Sequence, residues 1–505
     1  MVKPFQVLLT LLAVGALCTI TMVFFPSNGI KLTDDITLQF ATIDEYFAKD
    51  SVVPINVDSL LDSYEVVVDS TEIKDSIARF KNRQRQKVLN LQFALGNDNL
   101  PHFYQSLIDL QSGKRRKVRV LHYGDSQIEG DRITSFIREK LQSEFGGTGP
   151  GMLPLMQFIP NISIDQEQSE NWLRYTVFGR KDTTVHHKHF GLRGIISRFT
   201  PYTNDSSWAT KNPVSAWVKL KPSRLGYGHV KHYTKMRIHY GYNHAPVTMT
   251  VKIDGEVQFV DTLSATNKSA VFEHVFGETP KELELIFKGK DSPDFYAISL
   301  ESTTGVAIDN VAMRGSSGTI FTKIDREQLA FQYSKEPISL VLLQYGGNTV
   351  PYIKSKKQAE DYGRWFGGQI AYLKRMLPNA DFILIGPSDM AIKEKTDYVT
   401  YPFLSEVRDA LKKAAFEHGI GFWDIYEVMG GRNSMASWVG ADPPLAGPDY
   451  VHFTPRGARR VAELFYKALY RDFERYKTSL IDSSTIANQA ADSALKPVDS
   501  AEVLQ

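Results

Sequence analysis

The chain has 505 residues, with 59 Lys and Arg residues against 57 Asp and Glu residues and a formal net charge of +2. This length exceeds one typical hydrophobic core, so we expect two or three domains. The balanced charge, without a basic stripe interleaved with aromatic residues, argues against a nucleic-acid partner. A single cysteine, Cys18, excludes a disulfide within one chain.

Residues 5–25 form an uncharged, apolar stretch, and about 20 such residues suffice to span a bilayer. The run continues through Phe25 without the small residues of a cleavage site, which favours an uncleaved membrane anchor over residues 1–30. Lys3 precedes the stretch and two aspartates follow it, so the N-terminus is expected in the cytoplasm. We therefore expect a single-pass protein of the inner (cytoplasmic) membrane whose main body is periplasmic.

Residues 31–112 are charged and show intermittent helical periodicity. This pattern predicts a helical stalk or cap that carries little chemistry. At the other end, residues 479–505 are rich in Ser, Ala and Asp and poor in large apolar residues. Such a composition predicts disorder.

Strand and helix patterns begin to alternate at "KVRVLHYG", residues 117–124. The alternation returns with "ISLVLLQYGG" and with helical patterns around residues 356–376 and 403–417. Continuous apolar strands that alternate with helices predict an α/β fold with a parallel sheet covered on both faces. We assign residues 113–155 and 308–478 to this discontinuous domain.

Residues 156–307 have a different pattern. Short runs of alternating polar and apolar residues are separated by turn residues, and Asp254-Gly255 is a hairpin signal. The segment is predicted to be a β-sandwich inserted into the α/β domain.

Ser126 lies in "LHYGDSQIEGDR", residues 121–132, where a strand meets a helical segment. A serine at such a junction is either an N-cap or a nucleophile, and a nucleophile needs a base and a group that orients the base. His452 is the candidate base, on a loop before a helix that begins near Thr454. Asp449 lies three residues earlier and can hold one ring nitrogen of His452, although an Asp-x-x-His pair also occurs as a self-satisfied loop.

An acyl-transfer site also needs donors for the oxyanion. The backbone amide of Ser126 is one candidate donor. Gly315 in "DNVAMRGSSG" offers a second amide, although Gly318 lies close by and each glycine also fits an ordinary turn. Asn348 follows an apolar strand, where its side-chain amide can donate into a ligand site or cap a helix.

The order Gly124-Asp125-Ser126, Gly315, Gly346-Gly347-Asn348 and Asp449-Tyr450-Val451-His452 resembles the four sequence blocks of the SGNH (GDSL-type) hydrolases. The resemblance covers residues 117–150 and 310–475. It implies a flavodoxin-like sheet, with Ser126 as nucleophile, His452 as base and Asp449 as the orienting acid. It also implies an oxyanion hole formed by Ser126, Gly315 and Asn348, and a structural role for Asp125.

The insertion and the segment "FGGTGPGMLP" further resemble the envelope carbohydrate esterases of this superfamily, in particular peptidoglycan O-acetylesterases with an inserted carbohydrate-binding-like β-sandwich. The resemblance implies a serine esterase that removes O-acetyl or similar short acyl groups from an envelope polysaccharide or peptidoglycan. Two alternatives remain open. The first alternative is an O-acetyltransferase that receives acyl groups from a membrane acyltransferase partner. The second is a non-catalytic glycan-binding protein.

Neither a cofactor nor a metal is predicted. The run "HHKH", residues 186–189, is the one candidate metal motif, but no acidic or cysteine partner is spaced to complete a site.

Overall fold

The protein is described by a computed structural model, which covers residues 4–26, 30–32, 37–38, 55–65, 88–96, 100–180, 182–202 and 209–494. Most of the predicted stalk between residues 31 and 87, and the last part of the predicted disordered tail, lie outside the described residues. The chain divides into two compact units. Residues 1–54 with 393–397 form the first unit, and the remaining residues form the second.

The first unit contains a helix, α1 (Pro4–Phe24), and two short antiparallel strands, β1 (Ile30–Lys31) and β2 (Thr37–Leu38). Residues Phe5–Phe24 have a mean hydropathy of 2.5, and the side chains along the helix are exposed. Within the described part of the chain, this is the one helix long and apolar enough to cross a membrane, and a signal sequence would pass the same test.

The second unit contains helices of four to forty residues. They are α2 (Val57–Glu65), α3 (Pro101–Gln111), α4 (Thr134–Phe145), α5 (Arg326–Ser334), α6 (Lys356–Met376), α7 (Leu404–Glu417), α8 (Ile425–Val428), α9 (Ser434–Val439) and α10 (Pro455–Ala494). Short 3-10 helices lie at Ser126–Asp131, His229–Lys231, Phe321–Lys323 and Val350–Tyr352.

The remaining strands follow in chain order. They are β3 (Lys117–Gly124), β4 (Gly151–Leu153), β5 (Ile164–Gln168), β6 (Leu173–Thr176), β7 (Ile195–Arg198), β8 (Val214–Pro222), β9 (Lys235–Asn243), β10 (Val247–Ile253), β11 (Glu256–Leu263), β12 (Thr266–Val275), β13 (Leu283–Gly289), β14 (Asp294–Glu301), β15 (Gly305–Ala312), β16 (Ile338–Gln344), β17 (Asp381–Ile385), β18 (Ala391–Glu394), β19 (Asp397–Thr400) and β20 (Gly421–Trp423).

A five-stranded parallel sheet has the order β15-β3-β16-β17-β20. Strands β3 and β16 are buried along nearly their whole length, because apolar clusters cover both faces of the sheet. Such continuous burial is typical of parallel strands that are covered by helices on both sides. The predicted α/β fold with a parallel sheet is therefore confirmed, and helices α6 and α7 match the two predicted helical segments closely.

Two antiparallel sheets are formed between β3 and β15 in the sequence. Their orders are β11-β10-β13-β8-β5 and β12-β9-β14-β7-β6, and β4 also pairs with β14. Alternate side chains of β8 and β13 are buried, and they share one apolar cluster with side chains of β9 and β14. The second sheet thus begins at Gly151, a few residues before the expected start of the insertion.

Part of the predicted stalk belongs to the core of the second unit. Helix α3 buries Phe103 and Tyr104 in the same apolar cluster as Val118 and Val120 of β3. The backbone of Gln92 also pairs with Phe422 at the edge of the parallel sheet. This region therefore packs on the face of the parallel sheet that contains the Val118 and Val120 side chains, which are buried by it.

Helix α10 continues to Ala494, beyond Ser479, where we expected disorder to begin. Alanine has the highest helix propensity, and the segment from 487 to 494 contains four alanines. Low apolar content argued against packing in this segment, but it did not argue against a helix. Residues 495–505 lie outside the described residues.

A buried cluster of charges joins the parallel sheet to the antiparallel sheets. Arg119 of β3 is fully buried and forms ion pairs with Glu301 at the end of β14, Asp309 of β15, and Glu336, at 2.5, 2.8 and 2.7 Å. Glu336 also pairs with Arg237 of β9 at 2.5 Å. Although burial acts to raise it, the nearby cations lower the pKa of Glu301 to about 2.

We predict that Arg119→Met lowers the free energy of unfolding by about 3–5 kcal/mol, because three buried carboxylates lose their shared cation. Urea denaturation of the full chain in detergent, followed by tryptophan fluorescence, measures the change. The control is Lys413→Ala, which removes an exposed ion pair with Glu417 and should change the same quantity by about 0.5 kcal/mol or less. Equal effects of the two substitutions would contradict the importance of the buried cluster.

Candidate active site

Three strands of the parallel sheet end level with one another. Gly124 of β3 lies in register with Ala312 of β15 and with Gln344 of β16. The loops that leave these carboxyl ends therefore converge, which brings together Ser126 and Asn348 with the loop that contains Gly315. Ligand sites of open α/β sheets lie at this edge.

The turn after β3 shows that Ser126 is not the helix cap. The Asp125 side chain, not that of Ser126, accepts the hydrogen bond from the backbone N–H of Gln127 and caps the 3-10 helix. A Cβ at Gly124 would lie 2.9 Å from the Ile128 side chain and 3.2 Å from the Gln344 carbonyl oxygen, so a larger residue would crowd this turn. The Ser126 hydroxyl is left to point away from the turn.

Ser126, His452 and Asp449 form a hydrogen-bonded chain. Ser126 Oγ lies 2.8 Å from His452 Nε2, and His452 Nδ1 lies 2.7 Å from Asp449 Oδ2. The other oxygen of Asp449 accepts hydrogen bonds from the backbone N–H groups of Val451 and His452. Partial burial acts to raise the pKa of Asp449, but the hydrogen bonds from His452 and Val451 lower it below its ordinary value. A carboxylate fixed in this way can orient the imidazole.

The loop that carries Asp449 and His452 is held in an uncommon backbone conformation. Tyr450 has a φ of 56°, in the left-handed region that non-glycine residues rarely occupy. Its ring stacks on that of Tyr398, with ring centroids 3.5 Å apart. The helix that follows is capped by Thr454, whose hydroxyl accepts from the Gly457 N–H. Packing and capping together offset the strain and fix the loop beside Ser126.

Gln127 and Arg132 connect the serine turn to the histidine loop. The Gln127 side-chain amide donates to the Val451 carbonyl at 2.6 Å. Arg132 donates to the Phe453 carbonyl at 3.1 Å and to the Ser126 carbonyl at 2.6 Å. The two side chains therefore set the distance between the hydroxyl and the imidazole. Sequence reasoning did not identify either one, because their partners lie more than 300 residues away in the chain.

A cavity of about 360 Å³ opens beside Ser126 and His452. Its walls also include Gly315, Asn348 and Tyr352, and Tyr352 is 78% exposed at the rim. Sequence reasoning missed Tyr352, since a single exposed aromatic residue after a strand carries no distinctive pattern. The cavity is large enough for a small ligand.

Gly315 and Gly318, which are close in sequence, have different environments in the structure. Gly315 has a φ of +78°, and a Cβ there would meet nothing within 4 Å, so this glycine faces the open cavity. A Cβ at Gly318 would lie 2.6 Å from the Phe366 ring, which makes Gly318 a packing residue. The Gly315 N–H donates to none of the described residues and is available to a ligand.

Asn348 is held by Asp125. The side-chain amide of Asn348 donates to Asp125 Oδ2 at 2.9 Å and to the Ser316 carbonyl at 3.3 Å. The second bond is long and therefore weak. Burial raises the pKa of Asp125 to about 6, against the lowering effects of its hydrogen bonds from Gln127 and Asn348 and of nearby His452. Asp125 thus positions Asn348, and its side chain hydrogen-bonds to Gln127 and Asn348 and not to the His452 ring.

No family model matches the chain, and no curated protein matches it significantly. A solved structure described as a peptidoglycan O-acetylesterase in action resembles the chain with a TM-score of 0.57 and 21% identity, over 74% of this chain and 96% of that one. The chain therefore has the fold of that structure, and the predicted resemblance to peptidoglycan O-acetylesterases is confirmed at the level of the fold.

Two other solved structures have lower TM-scores. A Bacillus subtilis protein has a TM-score of 0.26 and 14% identity, over 64% of this chain and 96% of its own. A GDSL-like lipase from Parabacteroides merdae, described as putative, has a TM-score of 0.26 and 20% identity, over 32% of this chain and 73% of its own. Scores this low support no inference.

We predict a pH-dependent effect of Asp125→Asn. Because the fold raises the pKa of Asp125 from 3.8 to about 6, the native state binds the proton more tightly than the unfolded state. The contribution of Asp125 to the free energy of unfolding therefore falls as pH rises from about 4 to about 6. The destabilisation caused by Asp125→Asn should shrink by up to about 3 kcal/mol across this window.

Urea denaturation of both proteins at pH 4 and pH 7 measures this difference. Asp294 and Asp381 have pKa values raised to about 6 as well, but they titrate in both proteins and cancel in the comparison. A destabilisation that is constant or grows with pH would contradict the raised pKa of Asp125.

Proposed function

We propose that this protein is a serine esterase that removes O-acetyl or similar short acyl groups from an envelope polysaccharide such as peptidoglycan. One observation carries the proposal: the hydrogen-bonded chain from Ser126 through His452 to Asp449 opens onto a cavity at the carboxyl edge of a parallel sheet. The fold likeness to a peptidoglycan O-acetylesterase supports the choice of substrate class.

In the proposed reaction, Ser126 Oγ attacks the acyl carbon while its proton passes to His452 Nε2. The tetrahedral intermediate then collapses, and His452 returns the proton to the sugar oxygen that leaves. Water attacks the acyl-enzyme in the same way, and Ser126 regains its proton. Asp449 keeps the imidazole in the tautomer whose Nε2 can accept from the serine hydroxyl.

The proposed oxyanion donors are the backbone amides of Ser126 and Gly315 and the side-chain amide of Asn348. The N–H of Gly315 is available, and Gly315 faces the cavity. Asn348 would exchange its long bond to the Ser316 carbonyl for one to the oxyanion, while its bond to Asp125 keeps the amide in place. Donors positioned before the reaction stabilise the charge of the transition state without reorganisation.

We further propose that residues 113–155 and 308–478 form the hydrolase domain. In this proposal, residues 156–307 fold as a β-sandwich that holds glycan near the site. Residues 1–30 anchor the chain in the inner membrane and leave the hydrolase on the periplasmic side. The apolar helix Phe5–Phe24 supports the anchor.

An O-acetyltransferase would use the same acyl-enzyme but pass the acyl group to a sugar hydroxyl, with a membrane acyltransferase as the source. The two activities are separated by incubating the full chain in detergent with O-acetylated peptidoglycan and measuring acetate release and acetyl transfer in parallel. Acetate release supports the esterase, and transfer without release would replace it with the transferase. Neither activity, with retained binding to the polymer, would indicate a glycan-binding protein.

We predict that Ser126→Ala abolishes acetate release, because no other group is proposed to bond to the acyl carbon. A serine-directed phosphonate should label the wild type and leave the variant unlabelled, as measured by intact mass. The matched control is Ser388→Ala, because Ser388 lies on the same cavity wall but hydrogen-bonds to Gln127 and not to His452. The control should be labelled normally, and labelling of Ser126→Ala at the wild-type rate would rule out Ser126 as nucleophile.

We predict that Asp449→Asn lowers turnover of a small acetyl ester by about four orders of magnitude, because the amide stabilises the wrong imidazole tautomer. His452→Ala should be as damaging, and the double variant should be little worse than either, since members of one catalytic unit are not additive. Initial rates with 4-nitrophenyl acetate measure all three. If Asp449→Asn keeps most of the wild-type turnover, His452 has another orienting partner.

A further inference from the structure

A second cavity, of about 330 Å³, lies next to the proposed acyl site. The turn after Ser126 and the end of β15 form one side of it, and β4, β6 and β7 of the second antiparallel sheet and the loop after β4 form the other. Four arginines line it: Arg138, Arg174, Arg193 and Arg314. We call it the arginine cavity.

The charges of the arginine cavity do not balance. Arg138 pairs with Asp131, and Arg314 pairs with Glu129, each at 2.5 Å. Arg174 and Arg193, in contrast, form no ion pair with any carboxylate of the described residues, and the cavity lining contains no further acidic residue. The walls therefore carry two positive charges in excess.

Arg193 is 4% exposed, yet its guanidinium is only partly satisfied. One terminal nitrogen donates to the carbonyls of Met152 and Asn310, at 2.8 and 3.1 Å. The Nε–H has no hydrogen-bond partner in the described part of the chain. Burial lowers the pKa of Arg193 to about 10, so the group stays charged at neutral pH. Nearby Asp309 acts to raise this pKa, but Asp309 is itself paired with Arg119, so an anionic ligand would offset the remaining cost of burying the cation.

Arg174 is half-buried, and its guanidinium lies over the rings of Phe158 and Phe178, at 5.4 and 5.6 Å from the centroids. This packing fixes the guanidinium without using its N–H groups. Phe158 itself is 62% exposed, and the neighbouring Ile159 is 37% exposed. The entrance to the cavity thus combines a cation with an apolar surface, a pairing suited to a carboxylate carried on a molecule with an apolar face.

The arginine cavity and the acyl site share a wall. Arg314 lines the arginine cavity, and the next residue, Gly315, lines the acyl site. On the other side, Ser126 and Glu129 are three residues apart in one turn, and Arg132 bonds to the carbonyls of both. A polymer bound in the arginine cavity would therefore pass close to the acyl site.

We infer that the arginine cavity binds a carboxylate of the acylated polymer, so that the protein acts on acyl groups that lie beside a free carboxylate. This inference rests on the proposed function. Arg174 and Arg193 bind the carboxylate, and Phe158 contacts an apolar face of the polymer. Planar guanidinium groups match carboxylates through paired hydrogen bonds.

The first test measures binding without turnover. The full chain carrying Ser126→Ala is sedimented with insoluble O-acetylated peptidoglycan whose carboxyl groups are either free or converted to methylamides. Adding Arg174→Gln should weaken binding to the free form about tenfold and leave binding to the amidated form unchanged. Adding Arg180→Gln, an exposed arginine that lines neither cavity, is the matched control and should change neither.

The second test measures turnover with otherwise wild-type protein. Arg174→Gln should raise KM for the free-carboxyl polymer about tenfold, with kcat little changed, and leave hydrolysis of 4-nitrophenyl acetate as in the wild type. Arg174→Lys, which keeps the charge but not the paired donors, should recover part of the loss. If Arg174 had only a structural role, the substitution would lower the turnover of both polymers and of the small ester alike.

The two proposals fail in different ways. If Arg174→Gln weakens binding to the free and the amidated polymer equally, or changes binding to neither, the carboxylate site is wrong and the proposed esterase activity is unaffected. If the wild type releases no acetate from any ester, the esterase is wrong, and the sedimentation result still decides whether the arginine cavity recognises a carboxylate.

Discussion

The site depends on one constraint, which is the register of three parallel strands. Strands β3, β15 and β16 are in register at their carboxyl ends, where Gly124 pairs with Ala312 and with Gln344. The three loops that follow these strands therefore begin at the same level of the sheet. The hydroxyl, the glycine amide and the asparagine amide reach one cavity because their loops begin at that level. A slip of the register by one residue would reverse the faces of the strand and separate these groups.

Much of this arrangement could be predicted from the sequence, because it depends on local patterns in chain order. The apolar run before Gly124 ends where β3 ends, and the helices around 356–376 and 404–417 follow from apolar periodicity. The spacing of Asp449 and His452 is local, so a hydrogen bond between them was predictable from one turn of chain. The structure added that Asp125 caps the turn, which leaves the Ser126 hydroxyl to point at the imidazole.

Other features could not be predicted, because they depend on residues that only the fold brings together. Arg119 is a charged residue within an apolar strand pattern, and its partners Glu301 and Glu336 lie in distant segments. Gln127 and Arg132 hydrogen-bond to carbonyl groups of the histidine loop, which lies more than 300 residues later in the chain. The arginine cavity has its walls in both the parallel sheet and one antiparallel sheet, so no window of sequence contains it.

The buried cluster around Arg119 also bears on how the chain folds. Strands β3 and β15 are neighbours in the sheet, but both antiparallel sheets lie between them in the sequence. Bringing such distant strands together carries a large loop-closure entropy and slows folding. Early collapse of the antiparallel sheets would shorten the effective loop, and Glu301 would then arrive close to Arg119.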